Sequence, residues 1–162
     1  MKTCSIIILN WNGSELLKEG LPSVISAVEF AGGGHEIIVV DNGSTDGSIE
    51  FVKSSFPSVI VFPLGTNIGF GEGNNEGVRH AKGDVVVLLN NDMVVDEQFL
   101  CSLLEPFEKS KDVFAVGCQI FFQDSSRRRE ETGKTFAYWD KGTIRYLHQD
   151  VTELDRRRKY IP

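Results

Sequence analysis

Thr3-Cys4-Ser5-Ile6-Ile7-Ile8-Leu9-Asn10 is a short, β-branched and nearly unbroken apolar run that ends in a polar residue. Its length and branching predict a strand. A strand apolar on successive residues is covered on both faces, as the strands of a parallel sheet are. Working outward, residues 14–30 carry apolar side chains at helical spacing (Leu16, Leu17, Leu21, Val24, Ile25, Val28). They predict a helix, bent or split at Pro22 and stopped by Gly32-Gly33-Gly34. Residues 36–40 read as a second strand ending at Asp41, followed by a polar turn, Asn42-Gly43-Ser44-Thr45-Asp46-Gly47. A helix over 48–55 and a third strand over 59–62 come next. Residues 69–81 are a glycine-rich entry and a helix, and 84–89 a fourth, buried strand tipped by Asn90-Asn91-Asp92. A helix over 96–109 and a strand over 113–122 complete the alternation. The pattern predicts an α/β domain with a mostly parallel central sheet flanked by helices and joined by right-handed crossovers. Residues 1–122 form that core. Residues 123–162 read as an irregular or hairpin extension, with a turn at Asp140-Lys141-Gly142 between 136–139 and 143–147.

The chain has 162 residues, enough for one domain with a real core, and its 41% hydrophobic and 25% charged residues are an ordinary globular mix. No apolar run approaches the roughly 18 residues of a membrane span. No basic region followed by a long apolar stretch opens the chain, so no secretory signal is expected. The net charge is -6, but residues up to about 120 are clearly acidic, whereas Arg127-Arg128-Arg129 and Arg156-Arg157-Arg158-Lys159 make the remainder mildly basic. An acidic body argues against nucleic acid as a partner. The basic clusters are either solvated runs or weak contacts with a membrane surface. Cys4, Cys101 and Cys118 lack metal-ligand spacing and read as buried free thiols. His35, His80 and His148 read as surface or loop residues.

Ligands of open α/β sheets bind beyond the carboxyl ends of the strands. Here those ends are polar four times over, at Asn10-Trp11-Asn12-Gly13, at Asp41-Asn42-Gly43-Ser44, at the loop from Gly65 to Asn75, and at Asn90-Asn91-Asp92. The first loop has no GxGxxG and no GxxxxGK[ST], which argues against dinucleotide and P-loop sites. The Asp41–Gly47 run fails the ligand and glycine positions of a calcium loop. Asp92 ends an apolar strand, where a carboxylate must be satisfied by water, a cation or hydrogen bonds. A hard divalent ion that also grips a diphosphate needs only one or two protein carboxylates. The plainer alternative is that Asp92 caps the next helix.

At these residues the chain resembles the family 2 glycosyltransferases of the GT-A fold. The likeness runs in order through Ile6-Ile7-Ile8-Leu9-Asn10-Trp11-Asn12, Val39-Val40-Asp41-Asn42-Gly43-Ser44-Thr45-Asp46-Gly47, Asn67-Ile68-Gly69-Phe70-Gly71-Glu72-Gly73-Asn74-Asn75-Glu76-Gly77 and Gly83-Asp84 to Leu89-Asn90-Asn91-Asp92. Its flavour is that of the rhamnosyltransferase-like branch. The resemblance implies that Leu9, Asn10 and Trp11 line a base pocket. It implies that Asp41 bonds the base or ribose beside Asn42, and that Asn67, Gly69 and Phe70 wall the donor site. Asn74 stands where many relatives have an Arg. Asn90-Asn91-Asp92 falls on the family's DxD position, with Asp92 as ligand of a divalent cation, Mn2+ or Mg2+, and Asn90 in place of the first acid. The implied activity is metal-dependent inverting transfer from a nucleoside-diphosphate sugar to a saccharide or lipid-linked hydroxyl, in surface polysaccharide synthesis, in the cytoplasm or at the inner face of the membrane. The family's acidic base segment has no counterpart between Phe122 and Pro162, so no catalytic residue is expected within this chain, which reads as incomplete for catalysis. Two alternatives share the architecture: a sugar-phosphate nucleotidyltransferase, which would need a basic first loop, and a non-catalytic nucleotide-sugar-binding module. A receiver-type phosphoacceptor module would need an acidic pair after the first strand and a lysine at a later strand end, and neither is visible.

Overall fold

The computed structural model describes residues 2–118, 120 and 134–149. They divide into two compact units, Met1–Val113 and Phe114–Pro162. In the first, the elements are β1 (Cys4–Asn10), α1 (Ser14–Ala31), β2 (Glu36–Asp41), α2 (Ser48–Ser55), β3 (Ile60–Pro63), α3 (Phe70–His80), β4 (Val85–Asn90) and α4 (Phe99–Lys109). In the second, β5 (Lys134–Asp140) and β6 (Thr143–Gln149) pair antiparallel. They turn through Lys141 and Gly142, both at positive φ, where the hairpin was expected.

β1 to β4 form one sheet in the order β3-β2-β1-β4, every pair parallel. The chain steps outward from β1 through β2 to β3, then returns to the other side of β1. That reversal creates a switch point between β1 and β4, where a crevice opens at the carboxyl ends. β1 is central, and Ile6, Ile7 and Ile8 are all at most 2% exposed. The β-branched run forms a strand because the pleated ladder suits it and both faces are covered.

One face is covered by α3, whose sequence is poor for a helix, with glycines at 71, 73 and 77. Each interior glycine costs about 1 kcal/mol of helix propensity. Packing explains two of them. A Cβ on Gly73 would lie 2.6 Å from Leu9 Cδ1, and one on Gly77 would strike Ile7 Cγ2 and Val40 Cγ2. The helix therefore lies with its backbone on β1 and β2, above the cluster of Ile7, Ile38 and Val40. On the other side of the sheet, α1 and α4 bury Leu17, Leu21 and Val24, and Leu100, Leu103 and Leu104.

The amino ends of the strands are pinned by side chains. Thr3 donates from N and Oγ1 to Asp84 Oδ2, at 2.8 and 2.9 Å, and Asp84 N donates back to Thr3 Oγ1. Buried Ser5 donates to Glu36 Oε1 and accepts from the N–H groups of Lys82 and Gly83. These bonds join β1, β2 and β4 at the end away from the crevice.

Several expectations need correction. α1 runs unbroken through Pro22. α4 begins at Phe99, not residue 96, because Asp96 Oδ1 accepts from Gln98 N and makes a turn just ahead of it. Residues 113–118 form no strand, and residues 119, 121 and 122 lie outside the described set, as do 123–133 of the expected extension. An apolar run becomes a strand only when a neighbouring edge pairs with it, and composition cannot supply that partner. β4 is therefore an edge within its unit. Val87 is buried, whereas Val86 and Leu88 are 37% and 59% exposed, so β4 is not the doubly covered strand its composition suggested. Cys4 is buried, Cys101 half-buried and Cys118 exposed, so thiol burial holds for Cys4 alone. His35 is a loop residue, but its ring turns inward and Nδ1 accepts from Cys4 N at 3.1 Å. Burial lowers its pKa, against a smaller opposing effect from the Gly32 backbone. No helix among the described residues is long and apolar enough to cross a membrane.

Candidate functional site

The crevice at the switch point is a cleft of about 380 Å³ lined by Leu9, Trp11, Asn42, Asn67, Phe70, Asn90, Asn91 and Asp92. That is within the range of roughly 300–1,000 Å³ usual for small-molecule sites. β1 delivers Leu9, the loop after it Trp11, the loop after β2 Asn42, the loop before α3 Asn67, and α3 opens with Phe70. β4 and the turn after it deliver Asn90, Asn91 and Asp92. Trp11 and Phe70 are 58% and 69% exposed, which is unusual for residues this large and apolar.

The remaining sequence candidates lie behind this lining. Asn10 is wholly buried and Asp41 is 1% exposed. The β1–β2 register sets them side by side, and Asn10 Nδ2 donates to Asp41 Oδ2 at 3.2 Å. Asp41 Oδ1 accepts from Ser44 N at 2.9 Å. Gly69 donates to Asn67 Oδ1 and accepts from Asn42, so its part is in shaping the wall. Asn74 is buried in α3 with Nδ2 bonded to Phe70 O at 2.9 Å, away from the lining.

Asn42 ties the walls together. Its Nδ2 donates to Asn67 Oδ1 and Gly69 O, at 3.0 and 3.3 Å, and its Oδ1 accepts from Ile68 N at 2.9 Å. The next residue, Gly43, has φ 79, and a Cβ there would lie 2.7 Å from Thr66 backbone. Only glycine allows the two loops to approach so closely. Asn67 spends its oxygen on Asn42 and Gly69, leaving its NH2 as a donor.

Composition alone left out three residues that shape the cleft. Asn12, at φ 51, donates from N to Ser44 Oγ and accepts at Oδ1 from Thr45 N, both at 2.8 Å. Ser44 Oγ also accepts from Asn10 Nδ2. Asp46 accepts from Ser14 N, at the start of α1, and from the N and Oγ of Ser48, at the start of α2. Burial raises the Asp46 pKa, but the bonds from Ser48 and Ser14 outweigh it and hold the carboxyl below its usual range. These contacts stitch the loop after β1 to the loop after β2 and hold Trp11 at the mouth. The Asn, Ser and Asp residues were the available signal; which loops meet was not.

Asp92 lies at the cleft, seven residues ahead of α4, so it is not that helix's cap. It is exposed and, among the described residues, has no hydrogen-bond or ion-pair partner. No group of three or more acidic, His or Cys side chains that would enclose a metal exists among the described residues. One free carboxylate flanked by amides suits a hard divalent ion that takes most of its ligands from phosphate and water, not one caged by protein.

A parallel sheet ordered β3-β2-β1-β4, with a polar cleft at its reversal point, is an open α/β domain, and its similarity to solved glycosyltransferases places it in the GT-A class. The fold is similar to S. aureus TarS 1-349 in complex with UDP, with TM-score 0.58 and 24% identity over 65% of this chain and 33% of that one. It is also similar to glucosyl-3-phosphoglycerate synthase from Mycobacterium tuberculosis in complex with Mn2+ and UDP, with TM-score 0.53 and 24% identity over 65% of this chain and 39% of that one. The profile described as "Glycosyl transferase family 2" matches residues 5–158, and the chain belongs to that family. It is 30% identical to the uncharacterized glycosyltransferase YfnE of Bacillus subtilis, over 74% of this chain and 30% of that protein. It is 30% identical to undecaprenyl-phosphate 4-deoxy-4-formamido-L-arabinose transferase of Edwardsiella ictaluri, over 67% and 35%. A poly-beta-1,6-N-acetyl-D-glucosamine synthase of Staphylococcus epidermidis is 30% identical over 69% and 27%. The chain thus spans about a third of the length of the curated relatives it matches.

Proposed function

We propose that the cleft is the donor site of a sugar transferase and takes a nucleoside-diphosphate sugar together with Mn2+ or Mg2+ at Asp92. The observation that carries this reading is the chemistry of the lining: one free carboxylate, four amides, two aromatics and a leucine, with no Lys or Arg. Among the described residues a diphosphate entering such a cleft meets no compensating side chain, and uncompensated charge is costly to take out of water. In this reading the positive charge arrives with the ligand. Asp92 would hold the ion, with Asn90 and Asn91 beside it. Such an ion, when bound, offsets the charge of a departing diphosphate.

The chain's own residues bind and orient. Leu9, Trp11 and Phe70 offer apolar surface to the base and sugar rings. Asn67 and Asn90 offer hydrogen bonds, and Asn42 and Asp41 hold the loops that carry them. The transfer in this reading inverts the anomeric centre: a carboxylate takes the proton of an acceptor hydroxyl, whose oxygen displaces the diphosphate. No described residue is assigned as that base. The acceptor is a saccharide or lipid-linked hydroxyl, in the rhamnosyltransferase-like branch and in surface polysaccharide synthesis at the inner face of the membrane. The undecaprenyl-phosphate transferase and the poly-N-acetylglucosamine synthase among its relatives support that class of chemistry.

The test is a thermal shift with UDP, GDP, TDP and CMP, each with and without MnCl2. One nucleoside diphosphate should raise Tm only when manganese is present, and Asp92→Asn should abolish the shift without lowering the unliganded Tm. If manganese makes no nucleotide bind, the donor-site reading is abandoned.

A further inference from the structure

The resemblance puts Asn10 in the base pocket, but the structure turns its side chain away from the cleft. Asn10 is wholly buried, is absent from the lining, and makes three side-chain hydrogen bonds. Nδ2 donates to Asp41 Oδ2 and Ser44 Oγ, each at 3.2 Å, and Oδ1 accepts from Asn91 Nδ2 at 3.0 Å. The registers bring this about. Asn10 pairs with Asp41 on one side, and Leu9 pairs with Asn90 on the other, so the next residue of each strand end, Asn10 and Asn91, meet. One buried amide thus joins the ends of β1, β2 and β4.

The bond to Asn91 has a directional consequence. Asn91 is half-buried and lines the cleft. With Nδ2 committed to Asn10, Oδ1 is left as the amide atom without a partner among the described residues, immediately before the unpaired carboxylate of Asp92. A freely rotating Asn91 would offer either a donor or an acceptor. A keyed one has one N–H fixed on Asn10 and keeps Oδ1 as its unpartnered atom, the atom a cation would choose and a phosphate oxygen would not. The approach is close, since a Cβ on Gly13 would land on both Asn91 Nδ2 and Asn10 Oδ1. Gly13 is not at positive φ, so its lack of a side chain serves this contact and not a backbone turn.

We propose that Asn10 is a positioning residue that keys the Asn91 amide, so that the turn after β4 presents acceptor oxygens from Asn91 and Asp92 together. The proposal rests on the donor-site reading above only for its effect on binding; the keying is a property of the empty cleft. It predicts that Asn91 contributes to cation-dependent binding only while Asn10 holds it.

The experiment uses the full chain as wild type and as Gly13→Ala, Asn91→Ala and Asn10→Ala, with the Gly13→Ala/Asn91→Ala double variant. Gly13→Ala separates the two amides without altering either. Side-chain amide NMR of the metal-free wild type should show Asn91 NH2 exchanging more slowly than that of Asn90, and Gly13→Ala should abolish the difference. Calorimetry with UDP, or whichever of GDP, TDP or CMP the wild type binds, is run with and without MnCl2. Gly13→Ala and Asn91→Ala should each weaken manganese-dependent binding by about tenfold, the worth of one hydrogen bond to a charged site. Any metal-free binding should be unchanged, and the double variant should be no weaker than Asn91→Ala alone. Rapid exchange of Asn91 NH2 in the wild type overturns the proposal, as does equal weakening with and without manganese. A wild type that binds no nucleotide defeats the donor-site reading, yet the NMR comparison still decides the keying. Should Asn10→Ala fail to fold because Asp41 loses its buried donor, Gly13→Ala carries the same test.

Discussion

Replacing Asn42 by Ala removes three hydrogen bonds from a side chain that is 3% exposed: those to Asn67 Oδ1, Gly69 O and Ile68 N. Each bond of this kind contributes about 1 kcal/mol net, and the one at 3.3 Å somewhat less. Water can reach part of the loop once the amide is gone, which returns some of that loss. The structure thus sets a cost of about 2–3 kcal/mol. In a chain of 162 residues about 1 kcal/mol lowers Tm by roughly 2–4 °C, so Asn42→Ala should melt about 4–12 °C lower. Asn42→Asp separates the bonds by sign. A carboxylate oxygen still accepts from Ile68 N, but its partner oxygen now faces Asn67 Oδ1 and Gly69 O, where an NH2 had donated. Asn42→Asp should therefore be at least as destabilised as Asn42→Ala at pH 7 and should recover part of the loss as pH falls and the acid regains a proton. Differential scanning calorimetry from pH 4 to 8 reads both effects. A drop of less than about 2 °C for Asn42→Ala, or an Asn42→Asp variant as stable as wild type at pH 7, would refute the reading of Asn42 as the clamp between the two loops.

Asp46 gives a second pH test. The bonds from Ser48 and Ser14 hold its carboxyl below the usual carboxylate range, so its contribution to stability is present above that range and is lost as pH falls through the lowered folded value. Asp46→Asn should flatten the acid limb of Tm against pH below about 4 and loosen Trp11, read as a change in tryptophan fluorescence. His35 has a pKa lowered from 6.5 by burial, so stability should fall as pH drops below about 6.5 through that lowered value. Wild type should therefore lose Tm between about pH 7 and 5, and a variant with Gln at this position should lose less over the same interval. α3 supplies a matched pair. Gly71 has open space around its Cβ position, so Gly71→Ala should stabilise by up to about 1 kcal/mol through helix propensity. Gly77→Ala gains the same propensity but drives a methyl into the branched Cγ2 atoms of Ile7 and Val40, and should cost about 1–3 kcal/mol net. Urea unfolding of both variants checks the opposite signs.

The order of elements was legible because it is written in local pattern. The β-branched apolar run of β1 read as a buried strand, and the alternation with amphipathic helices pointed to parallel crossovers. The polar strand ends placed Trp11, Asn67, Phe70 and Asn90 to Asp92 around one crevice, and the resemblance added Leu9; all line the cleft. Local pattern failed at residues 113–118 and at β4 for one reason. Both are apolar runs, and whether such a run pairs, or is covered, is decided by a neighbour distant in sequence.

The division within the site has the same origin. The sequence determined that asparagines and carboxylates would gather at the carboxyl ends, because a parallel sheet puts every strand tip on one edge. Only the tertiary structure decided which of them face the ligand. Asn10 and Asn42 are the same residue type, each at a strand end, yet Asn10 bonds Asp41, Ser44 and Asn91 beneath the surface, whereas Asn42 bonds a loop 25 residues away while lining the cleft. An amide has four directions of hydrogen bonding and no preference among distant partners. Strand register and the closeness of loops allowed by Gly13 and Gly43 make that choice, and they exist only once the chain has folded.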